Sequence, residues 1–477
     1  MERVLSVEQM KTADRITIEK TGVDEQTLID RAGYAVAGEI VKRFRGGRVL
    51  VCMGKGNNGE DGKVVARELT KVHGFTVATL NVYNGIFKLL DKKFDIIVDC
   101  IFGTGLNREV EGKYKTAIEK INDRGAYVVS CDIASGLNGD NGKPMGIAVK
   151  ANLTVAIQEY KLGHFLNDGP DYSGIVVARD IGISVWGDDY SKKLSKSDLK
   201  EFFPERKRNV NKGCFGKTAI VGGSKWYTGS VLLSANALTS LKTGSGYSYL
   251  FVAESLLPIY AGKNPEVIVK PVSDSDGEIL FSEEFCNQLK NFDSVAIGMG
   301  MVEGEDLYKI IGYLLKNYTG NLIIDAGGLN ALSMFGTEIL SEKKCKVILT
   351  PHIGEFARLI HTNIDVIMSD IIGYAKDFAK KFGIILLLKN ATSVITDGEQ
   401  VYINTSGCSG MAKAGSGDVL CGIVCGMTGK CDCLLETVAG ASYLFGLCGE
   451  RAQDNSNVYT VTASDIISAL PIVLNSI

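Results

Sequence analysis

Short apolar runs that stop at a polar, glycine-rich turn recur along this chain, and they leave room for little other than an open α/β sheet. Residues 49–53, 95–99, 127–131 and 153–157 are such runs, and three of them lead into GKGNNGEDG (54–62), DCIFGTG (99–105) and DIASG (132–136). Runs this short and continuously apolar suit parallel strands buried on both faces. Helical spacing fills the intervals: Leu28, Ala32, Val36, Ile40 and Phe44 recur on one face, and Ser6 with Gln9 forms a capping box. A second series begins after residue 216. Residues 218–221 lead into Gly222-Gly223-Ser224, 295–297 into Gly298-Met299-Gly300, 322–324 into Asp325, 347–349 into TPHIGE, and 384–388 into Lys389. Between them, residues 183–212 are charged and irregular, with room for one short helix and a linker. The expectation is a doubly wound α/β protein of two domains, 1–205 and 213–477, with ligands at the carboxyl edges of the strands.

At 477 residues the chain is too long for one ordinary domain. An apolar fraction of 45% and a net charge of −3 describe a globular protein without the basic patch that nucleic acid demands, so no nucleic-acid partner is expected. The 55 glycines cluster in turns rather than in low-complexity tracts. Charges at Glu2, Arg3, Glu8, Lys11 and Asp14 break any signal-peptide core, and no window offers the ~20 apolar residues that span a bilayer. A cytoplasmic protein without a membrane partner is expected. Its twelve cysteines include no Cys-x-x-Cys pair, and Cys52, Cys100, Cys131 and Cys421 sit in apolar elements as reduced, buried thiols. Cys431 and Cys433 alone do not define a zinc site.

The richest chemistry lies in SGCSGMAKAGSGDVLCGI (406–423). A Gly-Ser-Gly turn opening an apolar helix offers freed amides and a helix dipole to a phosphate, and Asp418 stands beside that cradle as a base for a substrate hydroxyl. Lys389 and Ser393, in KNATS, follow another apolar run and suit a nucleotide phosphate. His352 lies where a strand passes into a loop and a helix. In the first half, Asn57, Asn58, Asp99 and Asp132 are oxygen donors at neighbouring strand ends. They suit an alkali or hard cation, or ribose hydroxyls, and not zinc.

Taken together and in order, these motifs resemble the bifunctional NAD(P)H-hydrate repair enzymes. In that family an epimerase domain precedes an ADP-dependent dehydratase domain related to ribokinase-like kinases. GNNGEDG resembles the family's GNNGGDG, DCIFGTGL its DAxFGTGL, CDIASGL its VDIPSGL, TPHIGE its TPHPGE, KNATS its KGAxT, DAGGLN its DADALN, and MAKAGSGDVLCG its MAxxGSGDVLAG. The resemblance implies two Rossmann-like domains, the second ribokinase-like. It implies epimerisation of R and S NADHX and NADPHX in the first and nucleotide-dependent dehydration of the S form in the second. Asp418 and Asp132 would be catalytic. Substrate would meet Asn57, Asn58, Gly59, Glu60, Asp61, Gly103, Thr104, Gly105, Leu106, Asn107, Arg108, Glu109, Tyr114 and Asp132 in the first domain, and Ser230, Gly300 and His352 in the second. Lys389, Asn390, Ala391, Thr392, Ser393, Gly415, Ser416 and Gly417 would hold the nucleotide. K+ would sit at Asn58, Asp99 and Ser135, and Mg2+ would accompany ADP or ATP. The family also admits a homo-oligomer.

Several residues depart from the family pattern. Glu60 replaces a glycine, which implies backbone strain and a charge facing the substrate's pyrophosphate. Ala134 and Ile353 replace prolines, Ser230 an alanine, Asn390 and Val302 glycines, and the connection into the 95–99 run is short. None removes Asp418, His352 or the Gly-Ser-Gly-Asp turn. Two other functions share these parts: a ribokinase-like kinase for a small vitamin alcohol, and a protein whose first domain only binds an NAD-like ligand.

Overall fold

The computed structural model describes residues 1–239 and 245–477. The chain divides into two compact units, one comprising Arg3–Ser191 and the other Lys192–Ile477 with Met1 and Glu2.

In the first unit six parallel strands pair in the order Phe75–Asn81, Gly47–Met53, Ile96–Cys100, Tyr127–Cys131, Leu153–Ile157, Ile175–Arg179. Side chains alternate across a strand. Val49, Val51, Ile96 and Val98 therefore share one core with Val36, Ile40 and Val65, while Leu50, Cys52 and Ile97 share another with Ile118 and Ile121. Helices cover both faces, which is why these strands read as unbroken apolar runs. The helix Val7–Thr21 starts at the expected capping box, in which Ser6 and Gln9 satisfy each other's backbone amides.

The second unit has the sheet order Ile268–Val272, Tyr247–Ala253, Lys217–Val221, Ser294–Ile297, Asn321–Ile324, Lys346–Leu349, Ile385–Leu388, Ser393–Thr396, Val401–Asn404. Pairing is parallel up to Ile385–Leu388 and antiparallel beyond it. Ile220, Ala296, Ile323 and Ile348 pack against the helices Thr228–Leu238, Ser416–Thr428, Leu434–Asp454 and Ala463–Leu474. The alternating residues Ala219, Val295, Ile297, Leu322 and Ile324 are also buried, so this sheet too is covered on both faces.

The expected strands shift by a residue or two at their ends. Ile175–Arg179 and Ile268–Val272 end their sheets; the first is only partly covered along its length, and the second is largely exposed and carries Lys270 and Pro271 within it. The charged stretch before residue 212 holds a strand, Ser191–Lys193, and its short helix, Lys196–Phe202, is 3-10 rather than α. Among the described residues no helix is long and apolar enough to cross a membrane.

Candidate active sites in the two units

A cavity of about 990 Å3 opens at the carboxyl edge of the first sheet. It brings together Asn57, Asn58, Asp61, Gly103, Thr104, Gly105, Leu106, Asn107, Arg108, Tyr114 and Asp132, whereas Gly59, Glu60 and Glu109 lie outside its lining. Asp132 directly follows the strand Tyr127–Cys131 and has φ +66°, a left-handed backbone that a non-glycine residue adopts at a cost. Three groups hold it there. Its Oδ1 accepts from the Ile157 amide (3.1 Å) and from Lys161 Nζ, which also donates to the Ile157 carbonyl (2.6 Å). His164 Nδ1 accepts from the Lys161 amide (3.1 Å), so Nε2 carries the proton and donates to the Asp132 carbonyl (2.9 Å). Burial lowers the His164 pKa to about 4 and keeps the ring neutral.

Asp61 also lines this cavity, on the helix Asn57–Lys71. Burial, reinforced by the Asp132 carboxylate, pushes its pKa up to about 8. Asp14 is raised for the same two reasons. The cavity thus sets the Asp132–Lys161 pair beside Asp61 and Asp14, two carboxyl groups whose pKa values burial raises.

Beside the cavity, Asp99 is wholly buried. It accepts from Ser135 Oγ (2.5 Å), the Ser135 amide (2.9 Å) and Ser130 Oγ (2.8 Å), yet burial still raises its pKa. Asn58 is buried with neither its amide oxygen nor its amide nitrogen hydrogen-bonded. It packs near Gly103, where an added Cβ would lie 3.6 Å from the asparagine's own Cβ.

In the second unit Asp418 lies in the first turn of Ser416–Thr428, behind Gly415, whose φ of +93° makes the turn. Ser230 Oγ donates to Asp418 Oδ1 at 2.6 Å, and burial raises the Asp418 pKa. Lys389 donates to Asp325 Oδ1 at 2.9 Å. Burial works against its charge, but Asp325 and Glu355 outweigh that and hold the ammonium protonated. Its Nζ stands 3.3 Å from where a Cβ on Gly417 would be, so lysine and glycine turn converge on one spot. Ser416 Oγ is buried there without a partner. His352 caps the helix Ile353–Leu359, its Nδ1 accepting from the amides of Gly354 (3.0 Å) and Glu355 (3.3 Å), which leaves the proton on Nε2. The Lys389 amide donates to the Pro351 carbonyl (2.8 Å), so His352 and Lys389 sit side by side. A Cβ on Gly300 would lie 3.1 Å from Ser230 Cβ, which places that loop next to the base. An anion cradle, a raised carboxyl and a lysine at one point can hold a nucleotide phosphate against a hydroxyl.

Comparison with known proteins gives the same two parts in the same order. Residues 25–88 and 81–163 match the family described as YjeF-related protein N-terminus, and residues 218–472 match the one described as NAD(P)H-hydrate dehydratase. A bifunctional NAD(P)H-hydrate repair enzyme from Thermofilum pendens is 33% identical, the alignment covering 100% of this chain and 97% of that protein. The chain belongs to the bifunctional NAD(P)H-hydrate repair enzyme family. Its counterpart from Archaeoglobus fulgidus is 32% identical, over 94% of each. A ribokinase-like superfamily protein from Enterococcus faecalis superposes with a TM-score of 0.51 at 26% identity, covering 61% of this chain and 98% of its own. The Bacillus subtilis ADP/ATP-dependent NAD(P)H-hydrate dehydratase, co-crystallised with ATP and Mg2+, shares the fold at a TM-score of 0.51 and 24% identity, over 59% of this chain and 97% of its own. The second unit is therefore ribokinase-like.

Against that family, one departure reads differently in three dimensions. Glu60 does not have a positive φ; it lies in the first turn of Asn57–Lys71, outside the cavity lining, and pairs with Lys63 at 2.6 Å. The expected backbone strain is absent, and the carboxylate is held by Lys63. Lys161, His164, Asp14 and Asp325 were not anticipated as site residues. Asp325 ends an apolar run and could have been found that way. Lys161 and His164 follow the 153–157 run without a glycine turn, so no local pattern marks them.

Proposed function

We propose that the first unit interconverts the R and S forms of NADHX and NADPHX at the Asp132 cavity, and that the second dehydrates the S form at Asp418 with a nucleotide as phosphoryl donor. The family supports both activities, and the functional domains are taken as 1–205 and 213–477. The observation that carries the reading is the convergence of Asp418, Ser230, Lys389 and the Gly415–Gly417 turn.

In the dehydratase domain Asp418 takes the proton of the hydroxyl on the hydrated ring. The oxygen attacks the terminal phosphorus of the nucleotide, and the bond to the rest of the nucleotide breaks. Amides of Gly415, Ser416 and Gly417 and the Lys389 ammonium, with Lys389, Asn390, Ala391, Thr392 and Ser393 along the nucleotide, meet the developing charge. The ring nitrogen's lone pair then expels phosphate, a far better leaving group than hydroxide. Loss of a proton from the neighbouring carbon restores the double bond. Mg2+ arrives on the nucleotide's phosphates; ADP is the expected donor and ATP the alternative.

In the epimerase domain the ring nitrogen can expel the hydroxyl once it is protonated. Asp61 supplies that proton, and Asp132 receives one from the water that adds back on the other face. Lys161 aims Asp132 through the bond to its Oδ1. Asn58, Asp99 and Ser135 fit an alkali cation: a buried amide oxygen without a partner, a buried carboxylate without a counter-charge and a hydroxyl make an all-oxygen donor set. K+ there would offset the Asp99 charge and fix the loop that carries Gly103.

The test is to give the purified protein mixed R and S NADH hydrates with Mg2+ and K+, with ADP and then ATP, and to follow reduced-nicotinamide absorbance and free phosphate. Complete recovery is expected. Recovery that stops at the S fraction would remove the epimerase reading, and a stable phosphorylated product without recovery would point to a kinase.

A further inference from the structure

A second cavity, of about 450 Å3, lies at the carboxyl edge of the second sheet and is not used by the chemistry above. Gly223, Ser224, Asp276, Glu278, Met301 and Glu305 contribute to its wall. It adjoins the reacting groups. The Gly223 amide donates to the Met299 carbonyl (2.8 Å), Gly300 packs against Ser230, and Ser230 bonds Asp418, so the wall at Met301 begins one residue from the loop that meets the base's partner. Lys389, by contrast, follows Ile385–Leu388, on the other side of Asn321–Ile324 and Lys346–Leu349 in the strand order. A substrate ring held at Asp418 with the nucleotide on the Lys389 side has its remaining length directed over this cavity.

The wall is acidic. Asp276 is paired with Lys225 and Glu305 with Lys309 (3.0 Å), and Asp306 accepts from the Phe281 amide (3.0 Å). Glu278 pairs with no lysine or arginine among the described residues. An independent feature points to an occupant: Ser224 lines the cavity, is only 1% exposed, and its hydroxyl has no hydrogen-bond partner, an uncommon state for a buried polar group. Two residues on, Trp226 is 71% exposed, a bare aromatic face at the same loop. Among the described residues no three histidine, cysteine, aspartate or glutamate side chains gather as they would around a metal ion. Carboxylates and a hydroxyl instead accept hydrogen bonds from sugar hydroxyls, and an acidic side chain that takes a ribose 2′-hydroxyl rejects a 2′-phosphate at the same place.

We infer that this cavity receives the adenosine ribose of the substrate, with Glu278, Glu305 and Ser224 as its hydrogen-bond partners, so that the dehydratase domain favours NADHX over NADPHX. The inference rests on the dehydratase reading and extends it to the far end of the dinucleotide.

The experiment compares kcat/KM of the full-length protein for S-NADHX and S-NADPHX with one nucleotide and Mg2+. A preference for NADHX on the order of tenfold or more, expressed in KM, is expected from a like charge against the phosphate. In Glu278→Gln/Glu305→Gln that ratio narrows at least several-fold through a lower KM for NADPHX. Binding of NADH and NADPH, read by tryptophan quenching, shifts in the same direction and reports separately on the folded variant. Equal wild-type kcat/KM for the two hydrates, or a ratio that the double variant leaves unchanged, would overturn the inference while leaving dehydration standing. Turnover of neither hydrate would remove both.

Discussion

The two units solve the same topological problem with different chemistry. Each collects its functional groups at the carboxyl edge of a parallel sheet, but the first relies on side chains and the second on backbone. In the first, Asp14, Asp61, Asp99 and Asp132 crowd into or beside one cavity, and Lys161 is the cation bound to Asp132. In the second, one raised carboxyl, Asp418, stands at a helix N-terminus whose amides face outward. Crowded carboxylates raise one another's pKa and make proton donors and acceptors. A helix N-terminus with a lysine makes an anion site. Loss and return of water at a carbon calls for the first arrangement, and phosphoryl transfer calls for the second.

The contrast breaks most sharply at Asp418. Asp418→Asn keeps the Gly415 turn and the hydrogen bond to Ser230 within reach, so nucleotide binding by calorimetry should stay close to wild type. Dehydration of S-NADHX should fall by about 10²- to 10⁴-fold, the typical contribution of a positioned base. Epimerisation should be untouched. A variant with more than a tenth of wild-type dehydration would mean that the amide cradle and Lys389 carry the reaction without a base.

The converse change is Lys161→Met. Methionine takes the place of the buried lysine but leaves Asp132 at its left-handed φ without the Lys161 ammonium. Epimerisation should fall by about 10²-fold, toward the low end of acid–base contributions, with S-hydrate dehydration unaffected. Because Lys161 is buried, the unfolding transition of the variant must be measured too; an intact transition with full epimerisation would reduce Lys161 to a structural residue.

How much of this was legible beforehand follows from where each group sits. Asp99, Asp132, Gly300, Lys389 and Asp418 all stand at the end of an apolar run or in a glycine turn, and period and punctuation expose such positions. Both sheets follow for the same reason. Lys161 and His164 are brought under Asp132 by the path of the chain after Leu153–Ile157, a tertiary effect with no local signature. Asp14 lies on an ordinary amphipathic helix, and only its position over the cavity gives it a role. Glu60 shows the opposite failure. A glycine in the family pattern suggests a positive φ, but helical backbone accepts glycine as well, and the pattern does not distinguish the two.

Asp61 sharpens the comparison through pH. Its pKa in the folded protein is raised to about 8, so it is a neutral acid below pH 8 and a carboxylate above. If it donates the proton, epimerisation kcat/KM should fall as pH rises through about 8, and Asp61→Asn should lower the rate and flatten that limb. Linkage gives a second readout. Between the ordinary carboxylate pKa of about 4 and about 8 the folded state binds more protons than the unfolded one, so stability declines across that window as pH rises. In Asp61→Asn this contribution is gone, and the variant's unfolding temperature should fall less between pH 6 and 9 than that of the wild type. The dehydratase rate, governed by Asp418, should show no matching change in Asp61→Asn.

The smallest expected effect belongs to Glu60→Gly, which restores the residue the family pattern carries. Two accounts of Glu60 compete. If its carboxylate opposed the substrate's pyrophosphate, removing it would raise epimerase kcat/KM through KM. The structure instead places it on the outer side of the first helical turn, bound to Lys63 and outside the cavity lining, with its charge reaching Asp61 only as a minor influence. On that geometry the rate stays within about twofold, while stability drops by roughly 1 kcal/mol because glycine is the poorer helix former and the carboxylate no longer complements the helix N-terminus. A several-fold gain in kcat/KM at unchanged stability would return Glu60 to the substrate site and require the loop after Gly56 to lie differently when the dinucleotide is bound. A small loss of stability at constant rate would show that this position answers to the helix and not to the ligand.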